Sequence, residues 1–81
     1  MNRDELKELI ETGHELEFTY NKKKYSITQG KIKGKHMISF CEFYKKTTEF
    51  NTFNELCEVT REGITVLDML NSITMDDIWV Y

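Results

Sequence analysis

Alternation of large apolar and polar residues between positions 16 and 44 is the feature that most restricts how this chain can fold. In the segment LEFTY, at 16–20, each large apolar residue is followed by a polar one or by the segment end. This period of two indicates a half-buried strand. Further strands are predicted from residue 25 and over residues 37–43, with turns at 21–23 and 33–34. The stretch therefore predicts an antiparallel meander of three strands.

Two details of the meander lead to further expectations. The apolar positions of the second strand change parity between Ile27 and Ile32, and Gly30 lies at the change, so we expect a β-bulge there. The third strand is apolar on both of its faces, which is typical of a strand that is central in its sheet or lies under a helix. We therefore expect helices to pack on one face of the meander.

The segment before the meander predicts a helix over residues 4–11. Leu6, Leu9 and Ile10 recur at the spacing that forms one apolar stripe on a helix. Asn2 is a suitable residue for capping the first turn, and Gly13 is suited to the left-handed conformation that ends a helix.

The segment after the meander predicts two short helices and a last strand. Residues 45–51 are polar and predict a loop. Thr52 and Thr65 each precede an acidic residue by three positions, the spacing of a capping threonine, so a helix is predicted after each. Residues 78–81 are apolar and predict a strand that pairs with the meander. The predicted fold class is α+β, with the element order αβββααβ.

The length bounds the organisation and the cellular setting. Eighty-one residues predict one domain over residues 1–81, burying roughly 60–65% of its unfolded surface. No apolar run approaches the roughly 18 residues that span a bilayer, and the first residues do not form a secretory signal. A cytoplasmic protein without membrane association is expected. Cys41 and Cys57 are then expected to be free thiols that behave as small buried apolar residues.

Charge is divided into three blocks along the chain. Residues 1–20 and 47–81 are acidic, whereas residues 21–46 carry eight lysines and one glutamate; together the blocks give the net charge of −3. One interpretation is a basic surface for single-stranded nucleic acid, with tyrosines as stacking platforms. The candidate residues are Lys22, Lys23, Lys24, Lys31, Lys33 and Lys35, with Tyr20, Tyr25 and Tyr44.

Two other interpretations of the charge remain open. Lysines in turns and on strand edges also keep a small sheet soluble and discourage edge-to-edge pairing. The acidic flanking segments, in turn, resemble an anionic surface that would occupy the nucleic-acid groove of a partner.

The residue types of catalytic and metal sites are present, but not at the spacings that such sites use. Cys41, Cys57, His14 and His36 do not form a zinc-binding motif, and the chain has neither a phosphate-binding loop nor a nucleophile elbow. The acidic pair at 76–77 precedes a predicted strand, where it is typical of a turn or a helix start. We expect no catalytic site, no metal site and no cofactor.

Trp79 is the only tryptophan of the chain. Its position in the last strand has two interpretations. The tryptophan either pins this strand to the core, which we favour because Ile78 and Val80 bracket it, or it is an interface anchor for a partner, a role in which tryptophan is enriched.

Four segments carry a resemblance to a known family: EFTY at 17–20, KYSI at 24–27, ISFCEFYK at 38–45 and DDIWVY at 76–81. In these, the chain resembles a family of small hypothetical proteins of Gram-positive bacteria, their phages and integrated elements. The resemblance covers nearly the whole chain and implies a genomic neighbourhood, but no activity and no site residues. It also implies a tight turn after the first strand; because Asn21 is followed by Lys22 rather than glycine, we expect a longer turn.

These observations lead to one leading hypothesis and one alternative. The leading hypothesis is a non-catalytic protein-interaction module, an accessory or anti-defence factor of a phage or mobile element that binds an unidentified host protein. The alternative is a small single-stranded nucleic-acid-binding protein that uses the lysine-rich meander. A homodimer is a further option, because the sheet must end in edges.

Overall fold

The computed structural model describes all 81 residues and has the expected α+β architecture. The helices are α1 (Arg3–Glu11), α2 (Phe53–Glu58) and α3 (Val66–Ser72), with a short 3₁₀ helix over Met75–Asp77. The strands are β1 (Leu16–Tyr20), β2 (Lys23–Ile32), β3 (Lys35–Glu42), β4 (Thr48–Phe50), β5 (Thr60–Arg61), β6 (Ile64–Thr65) and β7 (Ile78–Val80).

Five of the strands form one antiparallel sheet in the order β4-β3-β2-β1-β7, and β5 and β6 form a separate hairpin. The three-stranded meander is confirmed, and so is the pairing of the last strand, which lies beside β1. The predicted loop at 45–51 is wrong in part. It contains β4, whose three residues pair with residues 38–40 of β3 and thereby complete one edge of the sheet.

Both turns of the meander are two-residue turns with left-handed backbone. Asn21 and Lys22 have φ of 51° and 65°, and Tyr20 pairs with Lys23 across them. Lys33 and Gly34 form the second turn, with φ of 53° and 81°. Positive φ at both positions defines the type I′ turn, whose twist matches that of the flanking strands. The longer turn expected after the first strand is therefore wrong.

The bulge expected at Gly30 is also wrong. The register of β2 and β3 runs unbroken from Tyr25 opposite Glu42 to Ile32 opposite Lys35. With the register unbroken, Ile32 lies on the opposite face of the strand from Tyr25 and Ile27, and 42% of its surface is exposed. The change in parity reflects this exposed position and not an extra residue.

One face of the sheet, here called the core face, carries every buried strand residue. Residues that are paired in the register share a face, and the buried strand residues form one cluster with the buried residues of the three helices. The strand members of this cluster are Leu16, Phe18, Tyr25, Ile27, Ile38, Phe40, Phe50 and Ile78. The helices therefore lie on the core face, as expected.

The helix ends form where the sequence predicts them. Asn2 and Glu5 make a reciprocal capping box at the start of α1. At its end, the amide of His14 donates to the carbonyl of Leu9 and that of Gly13 to Ile10, the two bonds of a Schellman motif. Thr52 and Thr65 accept hydrogen bonds from the amides of Glu55 and Asp68 and so cap α2 and α3.

Candidate functional site

The second face of the sheet, here called the open face, is covered by no helix. It carries the residues that alternate with the core set, and none of them is buried. Its centre is formed by small side chains, and its β7 side by aromatic ones. The open face comprises Glu17, Thr19, Lys24, Ser26, Thr28, Met37, Ser39, Cys41, Trp79 and Tyr81.

Trp79 lies on the open face with 45% of its surface exposed. The interpretation that it pins the last strand to the core is wrong. Because Ile78 pairs with Phe18 of β1, Ile78 takes the inward position and is 6% exposed, and the alternation of the strand turns Trp79 outward. The position of Trp79 is compatible with its other predicted role, that of an interface anchor.

Trp79 and Tyr81 border a pocket of about 300 Å³, which is also lined by Glu17, Phe18 and Lys24. The hydroxyl of Tyr81 donates a hydrogen bond to the carboxylate of Glu17 over 3.1 Å. This bond stabilises the protonated phenol and raises the pKa of Tyr81 above its ordinary value. The pocket thus combines the aromatic rings of Trp79 and Tyr81 with one carboxylate and one lysine.

β7 is an edge strand, and half of its backbone groups lack partners within the sheet. The amide of Tyr81 donates to the carbonyl of Glu15 over 2.8 Å, so Tyr81 and Trp79 direct their backbone groups towards β1. In an antiparallel ladder, successive residues direct these groups to opposite sides. The amide of Ile78 donates to the carbonyl of Met75 in the preceding 3₁₀ helix. The carbonyl of Ile78 and both backbone groups of Val80 are therefore the ones presented at the free edge.

The structure separates the candidate lysines into two groups. Lys22, Lys23 and Lys24 lie at one end of the sheet, and Lys31, Lys33 and Lys35 lie at the opposite end, around the second turn. Lys31 lies eight positions after Lys23 in β2, which corresponds to roughly 26 Å at about 3.3 Å per residue. The candidate set is therefore two surfaces, and it does not form one continuous basic face.

The three candidate tyrosines have three different environments. The prediction that Tyr25 is a stacking platform for bases is wrong. Tyr25 is 1% exposed, and its ring stacks on Phe18 and Phe40 with centroids 5.4 and 5.6 Å away. It occupies a core-face position because it pairs with Phe18. Tyr20 is partly buried against the same core. Only Tyr44 is fully exposed, at a left-handed φ of 67° in the turn after β3.

Lys23 is engaged with the β5–β6 turn. Its ammonium donates to the carboxylate of Glu62 over 2.7 Å, which raises the pKa of Lys23 and lowers that of Glu62. The Tyr25 hydroxyl also reaches Glu62, at 3.4 Å, and burial is the main reason that the pKa of Tyr25 is raised. Lys23 is therefore partly neutralised as a contact for an anion.

Both cysteines are free thiols, and neither is fully buried. The expected burial of Cys41 is wrong because Ile38 and Phe40 take the core face of β3, which leaves Cys41 on the open face with its sulfur 3.2 Å from the Ser26 hydroxyl. Cys57 is half-buried on α2, and this burial raises the pKa of its thiol. A raised pKa disfavours the thiolate that nucleophilic chemistry requires.

The remaining polar clusters have simple structural explanations. His36 bonds with the side chain of Gln29 over 2.8 Å, and Gln29 donates to the carbonyl of His14 over 2.9 Å; the two residues line a second, shallower depression of about 510 Å³. No group of three or more His, Cys, Asp or Glu side chains is arranged to hold a metal ion. None of the helices has the length and apolar composition needed to cross a membrane.

Comparison with protein-family models, with curated proteins and with solved structures finds no match to this chain. A proposal for the function of this chain therefore rests on the geometry described above. Sequence reasoning found Trp79 and Lys24 but missed Glu17 and Tyr81 as their neighbours. The sequence could have indicated Glu17, because it alternates with Phe18 in β1 and therefore points to the face opposite the core.

Proposed function

We propose that this protein is a non-catalytic interaction module of the cytoplasm, which binds an unidentified protein partner through the open face and the adjoining edge strand β7. An accessory or anti-defence role for a phage or mobile element is in keeping with such a module. The observation that supports the proposal most directly is the exposure of Trp79 and Tyr81 beside unpaired backbone groups. Tryptophan and tyrosine are enriched among the residues that contribute most to binding.

Several further features support binding over catalysis. The pocket at Trp79 has one carboxylate, and Tyr81 already donates a hydrogen bond to it. The sulfur of Cys41 contacts the hydroxyl of Ser26 and not a base, and burial raises the pKa of the Cys57 thiol, so neither thiol is activated. Binding through a preformed sheet also requires little reorganisation, which reduces its entropic cost.

The experiment that tests the proposal is affinity capture from a nuclease-treated lysate of a Gram-positive bacterium, with quantification by mass spectrometry. The wild-type chain is compared with Trp79→Ala and with Tyr44→Ala, a control that removes an exposed aromatic side chain elsewhere. We expect a protein partner that is captured by the wild type and by Tyr44→Ala and is lost with Trp79→Ala. Equal capture by all three chains, or no nuclease-resistant partner, would contradict the proposal.

A second candidate function, binding of single-stranded nucleic acid, is favoured by the environment of Tyr44. Its ring is fully exposed in a backbone conformation that is uncommon for a bulky residue, and Lys45 and Lys46 follow it directly. Lys22 and Lys24 lie at the same end of the sheet, because the amide of Phe43 bonds to the carbonyl of Lys24. Stacking on an aromatic ring with lysines nearby is the usual arrangement for such ligands.

Titration of a fluorescent single-stranded oligonucleotide tests this second candidate. If it is correct, affinity falls steeply with salt, and Tyr44→Ala weakens binding by roughly 1–3 kcal/mol. Replacing Lys31 and Lys33 by glutamate at the opposite end provides the control and leaves a local site intact. Salt-independent binding, or an equal loss from both ends, would refute a site at Tyr44.

A further inference from the structure

The free edge of β7 has the features of a surface that accepts another strand. Its outward groups are one donor, the amide of Val80, and two acceptors, the carbonyls of Ile78 and Val80, because the Ile78 amide already bonds to Met75. The strand has no lysine and no proline, the residues with which natural edge strands discourage such pairing. Val80 is also 40% exposed, so a second strand would cover apolar surface on that side.

The charge around this edge has one sign. Asp76 and Asp77 lie in the 3₁₀ helix that leads directly into β7. Glu17 of β1 lies opposite Trp79, and Glu15, which directly precedes β1, accepts a backbone hydrogen bond from Tyr81. No lysine or arginine occurs after Arg61. The nearest lysine across the sheet is Lys24 of β2, which is separated from β7 by β1.

We infer that the partner of this site is an extended segment in which basic and apolar residues alternate, and which pairs with β7 as an additional edge strand. The inference rests on the proposed function and specifies the chemistry of its partner. Backbone groups of the segment bond to Ile78 and Val80. Such strand addition derives affinity from the backbone and specificity from alternate side chains.

The alternation follows from the two faces of the sheet. Side chains of the added strand that point to the open face lie beside Trp79, where a cation packs over the indole ring. The carboxylates of Asp76 and Asp77, which directly precede β7, attract the same cation. Side chains that point the other way lie beside Val80 and are apolar. Arginine fits the open-face positions better than lysine because its planar group both stacks and binds carboxylates.

The same charges disfavour a second copy of this chain as the occupant. Pairing of β7 with β7 would bring two sets of Asp76, Asp77, Glu15 and Glu17 to one short interface. A net charge of −3 on each chain adds to this repulsion. A basic strand removes the repulsion, so electrostatics selects it over self-association.

The test is a fluorescence titration of Trp79, the only tryptophan, with a blocked pentapeptide of alternating arginine and valine. The comparison peptide has the same composition with its three arginines adjacent. We expect a saturable change in Trp79 fluorescence with the alternating peptide. The comparison peptide loses one face of contacts, so we expect its affinity to be at least about fivefold lower. Equal binding of the two peptides would show attraction by charge alone and would overturn the inference.

Variants locate the binding at the edge. Val80→Pro removes one outward donor at a position where an edge strand tolerates proline, and we expect affinity to fall about fivefold. Asp77→Asn leaves the backbone unchanged and is expected to weaken binding about threefold. Glu49→Gln, which removes a carboxylate from the opposite edge strand, is the control and leaves affinity unchanged. An equal effect of Glu49→Gln would overturn the assignment to β7.

Two outcomes separate this inference from the proposed function. If the lysate partner is captured in a Trp79-dependent manner and the alternating peptide does not bind, the inference is wrong and the interaction module stands. If sedimentation shows concentration-dependent dimers that Val80→Pro abolishes, the occupant is a second copy and the basic strand is excluded.

Discussion

Alternate residues of the same five strands form the core face, where eight side chains are buried, and the open face, where none is. On the core face, Phe18, Tyr25 and Phe40 stack in one row across three strands. On the open face, the corresponding positions hold small polar side chains, with aromatic residues only at the β7 side. The contrast indicates that packing determines the first set of residues and leaves the second set available for binding.

The largest effect is expected from truncating the core face. Phe40→Ala removes a ring that is 0% exposed, and we expect the free energy of unfolding to fall by about 3–5 kcal/mol because a cavity remains. Urea denaturation measures this change. The neighbouring Cys41→Ala, on the open face, is the matched control, with an expected loss within about 1 kcal/mol. Similar losses of unfolding free energy at the two positions would mean that the core face does not contribute more to stability than the open face.

Trp79→Ala sharpens the comparison, because it removes the largest side chain of the open face. With 45% of the residue already exposed, we expect a loss of about 1–2 kcal/mol, which is less than for the buried ring of Phe40. Because Trp79→Ala removes the only tryptophan, circular dichroism is used in place of fluorescence to follow its urea denaturation and to measure this loss. Trp79→Phe retains much of the packing and is the control. A loss of unfolding free energy as large as that of Phe40→Ala would mean that Trp79 contributes to stability as much as a buried core residue does.

The helical cover of the core face depends on its caps. Thr65→Ala removes the side chain that accepts from the Asp68 amide at 3.1 Å, and we expect the free energy of unfolding to fall by about 1 kcal/mol. Thr65→Ser retains the hydroxyl and should retain most of the stability. Thermal denaturation checks both variants. Pairing of the alternating peptide with β7 should be unchanged at temperatures where both variants are folded.

The smallest effect concerns the polar border of the core face, where Lys23 and Glu62 meet the Tyr25 hydroxyl. The pKa of Glu62 is lowered mainly by the hydrogen bond from Lys23, so its stabilising contribution is present above the unfolded pKa of about 4.3 and is lost as pH falls through the folded value. The pKa of Lys23 is raised, so its contribution is lost only as pH rises through that raised value.

Comparison of melting temperatures with Glu62→Gln checks this sign. The wild type should be the more stable chain near neutral pH, and the difference should disappear as pH falls through the lowered pKa of Glu62. A difference that grows as the solution is acidified would contradict the assignment. Glu58→Gln, on the exposed surface of α2, is the control and should show no such trend.

The sequence was sufficient for elements that are determined locally. The alternation of residues 16–20 coincides with β1, and the capping residues Asn2, Thr52 and Thr65 lie where α1, α2 and α3 begin. These features depend on neighbours within three or four positions, which a linear sequence displays directly.

Features that depend on distant pairing were not predictable in this way. β4 exists because Thr48–Phe50 meets β3, although its surroundings are polar. The direction of Trp79 follows from the register of β7 against β1, and Ile78 and Trp79 are equally apolar by sequence. Likewise, the candidate lysines belong to one basic block of the sequence, residues 21–46, but are divided between the two ends of β2 once that strand extends.

The pairing of β7 with β1 also affects the order in which the molecule assembles. The hairpins of β1, β2 and β3 close through two-residue turns and are expected to form early, because short loops cost little entropy to close. β7 pairs with β1 across nearly the whole chain, with Leu16 opposite Val80. During synthesis, β1 therefore presents a bare edge until residues 78–80 leave the ribosome, and nascent chains are most susceptible to strand exchange in that interval.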